Sequence, residues 1–251
     1  MPHYRGRMAE LLSDCTWTIQ GRTVTLPVSI THAESAVAVY AAPADAAAEH
    51  LRGTELEPWT VGGRALSVLL LVHYDEWELG TYDEVGVGLL VTGPGLKAGL
   101  HVLDLPVTGA FTCEAGQDLW GLPKWMMRAE LEFHGRRARV VVHDGPEFVM
   151  EAELTAGRVP VPPRTALTLP VWSRPAFGAQ AGRLLRGTMP VRVSAATIGR
   201  GNSSVQLGVH PMALRMADLG MTGRPLMVVH AGHATGSLGP FAAVGGERPR
   251  R

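Results

Sequence analysis

Short valine-rich segments, separated by turns that carry glycine or proline, recur along almost the whole chain. The 30 glycines and 18 prolines are spread through the sequence, so breaks between elements are frequent. Several segments alternate apolar and polar residues, which is the pattern of half-buried strands. Segments predicted as strands are 16–20, 23–28, 36–40, 66–73, 85–91, 100–105, 126–133, 137–143, 148–154, 165–172, 189–197, 203–207 and 225–230.

The connections between these segments favour antiparallel pairing. Gly21 and Arg22 predict a hairpin, and turns at 134–136 and 144–146 predict a three-stranded meander. Helices are predicted only at 43–51 and 211–219. Without regular strand–helix alternation, the chain is predicted to be an antiparallel α+β protein. We expect one domain over residues 1–251, with its core at about 15–240 and a flexible tail at 243–251.

Composition and charge argue against several classes of protein. With 46% hydrophobic and 18% charged residues, the chain can bury a core. Its longest apolar runs are shorter than the roughly 20 residues of a membrane span, and no signal peptide is evident. Basic and acidic residues balance at 23 each, so no nucleic-acid or membrane partner is expected. Cys15 and Cys113 are predicted to be reduced thiols in a cytoplasmic protein.

Motifs for common cofactors are missing. Gly86 and Gly88 lack the third glycine of a dinucleotide fingerprint, and the residues after them read as strand. The sequence has neither a phosphate loop nor a nucleophile elbow. His230 and His233 are three residues apart on a strand-like stretch, so a turn is favoured over a metal site. The sequence therefore predicts neither a cofactor nor a metal.

The most aromatic stretch of the chain surrounds one of its two lysines. Of 23 basic residues, only Lys97 and Lys124 are lysines. Lys124 follows Pro123, lies between Trp120 and Trp125, and precedes two methionines. Local sequence alone favours a lysine whose stem covers the tryptophans while its head reaches water. The alternative is an amine that forms a Schiff base.

A Schiff-base lysine needs unusual surroundings, because only the neutral amine attacks a carbonyl. A lysine with the ordinary pKa of roughly 10.4 is neutral about once in 2,500 molecules at pH 7. Burial among apolar groups or a second cation nearby favours the neutral form. The residues around Lys124 offer apolar burial but no neighbouring cation.

Three stretches resemble the acetoacetate decarboxylase family. Residues 116–125 read GQDLWGLPKW and are similar to the family's active-site strand, roughly Gly-Arg-Glu-x-x-Gly-x-Pro-Lys-Lys. Residues 79–84, LGTYDE, resemble the family's Gly-x-Tyr-x-Glu, whose glutamate faces the lysine. The LPVT stretch at 105–108 is similar to divergent members, and the compatible region runs from about 30 to 235. The resemblance implies a mostly antiparallel α+β fold with few helices, a cone-shaped β-barrel around the active site, and a homo-oligomer.

The chain departs from the family at several positions. The cationic neighbour that activates the family's lysine is replaced by Trp125. Gln117 and Asp118 replace an Arg-Glu pair. The lysine and one carboxylate therefore persist, while the parts adapted to acetoacetate are missing.

Two further pocket positions of the family have also changed. The second pocket glutamate falls near Leu69 or Leu70. The N-terminal pocket arginine falls near residues 31–34, where His32 is the nearest polar substitute. Arg128, Arg192 and Arg200 are possible replacements, but each is better explained as a surface charge.

The resemblance implies a carbon–carbon lyase that acts on a small oxo acid or a polyketide-like substrate. Lys124 would form the imine, and Glu84 would shuttle protons. The alternative for Glu84 is a surface carboxylate in the acidic run at 75–84. Strand alternation is expected to turn some of the aromatic side chains away from the lysine. The predicted substrate-binding residues are Tyr82, Trp120, Trp125, Met126, Gln117 and His32.

Three alternatives stay open at this level. The same imine supports an aldolase-dehydratase, in which the enamine attacks an aldehyde and water is lost. A dehydratase or cyclase without a covalent intermediate would use Glu84 or His32 as base and Lys124 as a cation. A binding or scaffold protein would keep the fold and the cavity without turnover.

Overall fold

The computed structural model describes residues 9–13, 15–93, 96–177 and 180–244, which form mainly strands. The helices are α1 (Ala44–His50), α2 (Ala110–Trp120) and α3 (Pro211–Asp218). The strands are β1 (Glu10–Ser13), β2 (Thr16–Ile19), β3 (Arg22–Thr25), β4 (Val28–Ala42), β5 (Glu57–Pro58), β6 (Thr60–Val61), β7 (Arg64–Trp77), β8 (Tyr82–Gly93), β9 (Leu96–Val107), β10 (Lys124–Met126), β11 (Arg128–His134), β12 (Arg137–Asp144), β13 (Glu147–Thr155), β14 (Val159–Pro160), β15 (Thr165–Ser173), β16 (Leu185–Gly199), β17 (Asn202–Leu207), β18 (Met227–Leu238) and β19 (Ala242–Ala243).

Seven long strands close into a barrel. The hydrogen-bonded circuit runs β4, β7, β8, β9, β15, β16, β18 and back to β4. Every neighbouring pair in it is antiparallel except β9 and β15, which are parallel. The predicted α+β class, with mostly antiparallel strands, a barrel and few helices, is confirmed.

The barrel strands extend beyond the segments predicted from the sequence. Parts of them are buried on both faces, so the alternation that would reveal their ends is missing. Along β7, consecutive residues from Ala65 to Leu69 are buried, so no alternation marks where the strand begins. One face points into the barrel, and the other packs against the second sheet and α3. A shared core cluster joins Leu69 and Leu71 of β7 to Val140 of β12 and Met212 of α3.

The predicted meander is confirmed as β11, β12 and β13, and β17 completes this second sheet. Alternating burial along β12 gives the sheet one apolar face, which covers the outside of the barrel. The predicted N-terminal hairpin is also present, as β2 and β3. Both predicted helices are found, as α1 and α3.

The third helix corrects the sequence-based expectation of a strand across residues 116–125. Residues 110–120 form α2, the helix ends at Gly121 with a left-handed φ of 60°, and only β10 is strand. The helix has no side-chain cap and no acidic residue in its first turn, so the usual start signals are missing. Its helical form is stabilised by burial of Thr112, Ala115 and Leu119 on one side.

Two residues of the predicted tail, Ala243 and Val244, make backbone contacts with the barrel. Ala243 pairs with Leu185 in the β16–β19 ladder, and the Val244 amide donates to the Leu184 carbonyl at 2.8 Å. Residues 245–251 lie outside the described residues. Within the described ranges, no helix combines the length and the apolar character that crossing a bilayer requires.

Candidate active site

The amine of Lys124 is buried at the side of the barrel. The residue is 4% exposed, and its Nζ lies 2.8 Å from Oε2 of Glu84, which is 5% exposed. Nζ also donates to Oγ1 of Thr112 at 3.1 Å and to the hydroxyl of Tyr82 at 3.4 Å. The local sequence alone favoured a lysine whose head reaches water. The structure differs, because the amine is buried.

Helix α2 and strand β10 hold the lysine in place together. Lys124 lies beside Leu105 in the parallel β9–β10 pair, and Gln117 of α2 donates from Nε2 to the Lys124 carbonyl at 2.6 Å. The lysine stem crosses α2 at Gly116. A methyl group on that glycine would lie 2.4 Å from Cδ of Lys124, so only glycine leaves room for the stem.

Glu84 is fixed by two tyrosines from the β7–β8 hairpin. Tyr74 and Tyr82 lie opposite each other in that hairpin. Tyr74 donates to Oε1 of Glu84 at 3.2 Å, and Tyr82 donates to Oε2 at 3.5 Å. Burial raises the pKa of both phenols well above the ordinary value, and the nearby Glu84 carboxylate raises it further. Both phenols therefore stay protonated donors at neutral pH.

A cavity of about 90 Å³ opens beside the Lys124–Glu84 pair. Its wall is almost entirely apolar, and the described residues that line it include no arginine. Arg128, Arg192 and Arg200 are exposed and do not contribute to it. The lining residues are Val68, Leu70, Tyr74, Trp77, Glu84, Gly86, Val87, Gly88, Leu100, Val102, Leu105, Trp120, Leu122, Lys124, Leu169, Val171, Met189, Leu238 and Phe241.

Of the predicted site residues, the structure brings Lys124, Glu84, Tyr82 and Trp120 together. Trp120 lines the cavity, and its indole N–H donates to the Gly239 carbonyl at 2.9 Å. Leu70, at one of the two positions predicted for the missing glutamate, also lines the cavity.

Tyr82 contacts the amine but does not line the cavity, and the other four predicted substrate-binding residues also lie outside the lining. Trp125 follows Lys124 on β10, so alternation turns it to the opposite side, where its ring lies 5.0 Å from that of His210. Met126 is 44% exposed. Gln117 is engaged with the Lys124 backbone. His32 lies at the surface, where Nδ1 is 3.2 Å from Asp75.

Three residues around the amine were missed by the sequence analysis, namely Tyr74, Trp77 and Thr112. Tyr74 directly follows the segment predicted as a strand at 66–73, and in the structure it lines the cavity. Pairing the 66–73 strand with the Tyr-x-Glu segment as a hairpin would have placed Tyr74 opposite Tyr82. Thr112 gave no such signal because it lies on the unpredicted helix.

Histidines do not gather into a metal site in the described part of the chain, where no group of three or more His, Cys, Asp or Glu could hold a metal ion. His230 pairs with Glu34 at 2.8 Å, and the ring of His233 stacks on that of His32. These contacts account for both histidines as structural residues.

The family model of acetoacetate decarboxylase matches residues 19–235, which include the lysine, the glutamate and most of the barrel. The chain belongs to the acetoacetate decarboxylase family. No curated protein sequence matches the chain.

Several solved structures have the same fold as this chain. Acetoacetate decarboxylase from Legionella pneumophila is 13% identical with a TM-score of 0.67, over 96% of this chain and 93% of that chain. A second acetoacetate decarboxylase is 17% identical with a TM-score of 0.65, over 87% and 89%. The enduracididine biosynthesis enzyme MppR, complexed with the condensation product of pyruvate and imidazole 4-carboxaldehyde, is 19% identical with a TM-score of 0.65, over 86% and 88%. At such identities, the likeness shows a common fold.

Proposed function

We propose that the protein is a carbon–carbon lyase that forms a Schiff base between Lys124 and the ketone group of an oxo acid. The observation that carries the proposal is a buried amine 2.8 Å from a buried carboxylate, at the wall of an apolar cavity. A lysine in such a place costs stability unless its partner is present, and it is better placed for chemistry than for packing.

The first step is condensation. Nζ attacks the ketone carbon, and the proton that the amine must shed passes across the short contact to Glu84. The carbinolamine then loses its hydroxyl group as water, with Glu84 returning the proton to the departing oxygen. Amine, ketone and one proton thereby give a protonated imine and water.

The second step breaks the carbon–carbon bond. The electron pair of the bond between the α-carbon and the carboxyl group moves toward the imine nitrogen, carbon dioxide leaves, and an enamine remains. Protonation of the enamine carbon and hydrolysis of the imine then release the ketone and restore the amine. In sum, a β-oxo acid anion and one proton give a methyl ketone and carbon dioxide.

The surrounding donors prepare these proton transfers. Tyr74 and Tyr82 fix the two oxygens of Glu84, and Thr112 orients the amine. Groups held in this way need little reorganisation when charge moves between the lysine and the carboxylate. We further propose that the protein acts without a cofactor, in the cytoplasm and as a homo-oligomer.

Reductive trapping tests the proposal. The protein is incubated with ketones or oxo acids and cyanoborohydride, and the mass of the peptide that contains Lys124 is measured. We expect a mass increase that depends on the carbonyl compound and disappears in Lys124→Arg, which keeps the positive charge but forms no imine. Lys97→Arg is the matched control, because it removes the other lysine of the chain and should leave the adduct intact. If no carbonyl compound gave an adduct, the result would favour a binding protein or a non-covalent dehydratase or cyclase.

An aldolase-dehydratase is the second candidate, because MppR, which shares the fold, has been solved with a condensation product of pyruvate and an aldehyde. In that reaction the enamine carbon attacks an aldehyde, and water is lost afterwards. Measuring carbon dioxide release alongside aldehyde consumption separates the two reactions. Carbon dioxide without any need for an aldehyde supports the decarboxylase.

A further inference from the structure

The charges that line the cavity cancel. Lys124 is the one cationic residue among the described residues of the lining, and Glu84 already lies 2.8 Å from its amine. A substrate carboxylate would therefore meet no positive charge free to pair with it. Burying an unpaired carboxylate costs several kcal/mol, so a carboxylate that stays on the substrate through the reaction is disfavoured here.

The same apolar wall favours a carboxylate that leaves as carbon dioxide. As carbon dioxide forms, the negative charge leaves the carboxyl group and spreads into the imine, so an apolar environment favours the transition state over the bound anion. The wall thus distinguishes a β-oxo acid, which loses its only carboxylate, from a 2-oxo acid donor, which keeps its carboxylate through an aldol reaction.

One neutral donor is available to orient the departing group. Nε1 of Trp77 is buried and has no hydrogen-bond partner among the described residues, and Trp77 lines the cavity beside the amine, with Lys124 Nζ 6.0 Å from its ring centre. Trp120, the other tryptophan of the lining, donates to a carbonyl and is not free. A single neutral hydrogen bond can position a carboxylate without holding it as firmly as an ion pair would.

The part of the cavity across the barrel from β8 is formed by aliphatic and aromatic side chains. Leu169 of β15, Met189 of β16 and Leu238 of β18 all contribute, and none of them offers a hydrogen bond beyond the weak acceptor of the methionine. This wall therefore suits a short hydrocarbon group.

We propose that the substrate is a β-oxo acid that carries an apolar chain longer than a methyl group on the far side of its ketone, with its carboxylate oriented by the indole N–H of Trp77. This inference rests on the proposed imine chemistry at Lys124. The reaction converts the β-oxo acid anion and one proton into the corresponding methyl ketone and carbon dioxide.

A series of ketones tests the substrate class, because each product ketone forms the same imine without the carbon–carbon step. The half-saturating concentration for trapping at Lys124 is measured for acetone, methyl ethyl ketone, methyl propyl ketone and methyl butyl ketone. Each fully buried methylene raises affinity by about fourfold. We expect methyl propyl ketone to trap at a concentration at least fivefold below that for acetone.

Levulinate supplies a charged match for methyl propyl ketone, since a carboxylate replaces the terminal methyl group of the propyl chain. We expect levulinate to trap at least tenfold less effectively. Equal trapping of acetone and methyl propyl ketone, or better trapping of levulinate, would overturn the inference while leaving the proposed function intact. No adduct with any ketone would remove the proposed function itself.

A pair of variants checks that the apolar wall causes the preference. Met189→Lys places a cation in the wall and should reduce the disadvantage of levulinate at least fivefold. Thr188→Lys adds the same charge at the neighbouring exposed position of β16, which does not line the cavity, and should leave the ratio unchanged. An unchanged ratio in a folded Met189→Lys protein contradicts the inference, and the ketone series decides alone if that variant does not fold.

Discussion

Lys124 and Glu84 are two buried charges that depend on each other. Removing either one leaves the other buried without an opposite charge, which typically costs 3–5 kcal/mol, a large part of the roughly 5–15 kcal/mol by which a folded protein is stable. A loss of activity in Glu84→Ala would therefore say little about proton transfer. Substitutions that leave the pair intact and change one contact of the substrate are more informative.

Trp77→Phe is such a substitution, because it removes the indole N–H and keeps an aromatic wall. We expect kcat/KM for decarboxylation of a β-oxo acid with a propyl group to fall about three- to tenfold, the worth of one neutral hydrogen bond. Trapping of methyl propyl ketone, which has no carboxylate, should stay within about twofold of wild type by the same reasoning. Carbon dioxide release and the mass of the adduct measure the two quantities.

Trp59→Phe is the matched control, since Trp59 is 40% exposed and does not line the cavity. It should leave both quantities unchanged. If Trp77→Phe weakened ketone trapping as much as decarboxylation, the indole would matter for packing and not for the carboxylate.

The sequence predicted the site residues that lie within the family-like segments. It missed those that reach the site only because two strands pair. Lys124, Glu84 and Tyr82 could be named because family-like segments carry them. Tyr74 and Trp77 enter through the β7–β8 hairpin, whose register is a property of two strands. The strand preceding a motif contributes to a site as much as the motif does, but single-sequence patterns do not reveal which of its faces points inward.

At the scale of elements, α2 shows how burial overrides local signals. Its sequence lacks a capping residue, and Gly116 lies in its second half, where glycine disfavours a helix by about 1 kcal/mol relative to alanine. Packing of its buried face on the barrel compensates. This glycine lies where the lysine stem passes over the helix. The residue that weakens the helix is therefore the one that makes room for the lysine.

Gly116→Ala therefore separates helix stability from function. The added methyl group would lie 2.4 Å from Cδ and 2.7 Å from Cε of Lys124, so the stem must shift and carry Nζ away from Glu84. A displacement of about 1 Å at a reacting group can cost roughly a hundredfold in rate, and we expect a loss of that order in kcat. Thermal stability should fall by less than in Glu84→Ala, because the carboxylate partner is still present and alanine, the better helix former, offsets part of the clash.

Gly232→Ala provides the comparison for the added methyl group. On β18, its nearest new neighbour would be the Ala195 carbonyl oxygen at 3.5 Å, an ordinary contact away from the cavity. This variant should keep wild-type decarboxylation. A wild-type rate in Gly116→Ala would mean that the lysine reaches its substrate by a route that does not cross the helix at this point.

For the whole molecule, the fold class followed from the turn-rich, alternating sequence, and the barrel was implied by the family resemblance. The lengths of the barrel strands did not follow, because β7 and β8 are covered on both faces and carry runs of buried residues. The closure of the ring was equally hidden. It depends on the short parallel contact between β9 and β15, which registers Leu100 with Val171 and His101 with Trp172.

His101 is a titratable group in that closing contact, and it is 5% exposed. Burial lowers its pKa to about 4 from the usual 6.5, a backbone hydrogen bond at Trp172 acts in the opposite direction, and Arg174 lowers it further. The folded protein therefore keeps the imidazole neutral where an unfolded chain would already bind a proton. Stability that is present above about pH 6.5 is lost as the pH falls toward 4.

We expect this one group to reduce the free energy of unfolding by about 2 to 3 kcal/mol between pH 7.5 and 4.5. Urea unfolding of wild type and His101→Gln over that range measures it, because other titrating groups contribute equally to both proteins and cancel in the difference. Between pH 7.5 and 4.5, the free energy of unfolding of wild type should fall by this amount more than that of the variant. The difference between the two proteins at pH 7.5 does not affect this comparison. His134→Gln, at an exposed position away from the closing contact, is the control for the substitution itself. If the difference in unfolding free energy between wild type and His101→Gln did not change with pH, His101 would bind a proton in the folded protein without loss of stability.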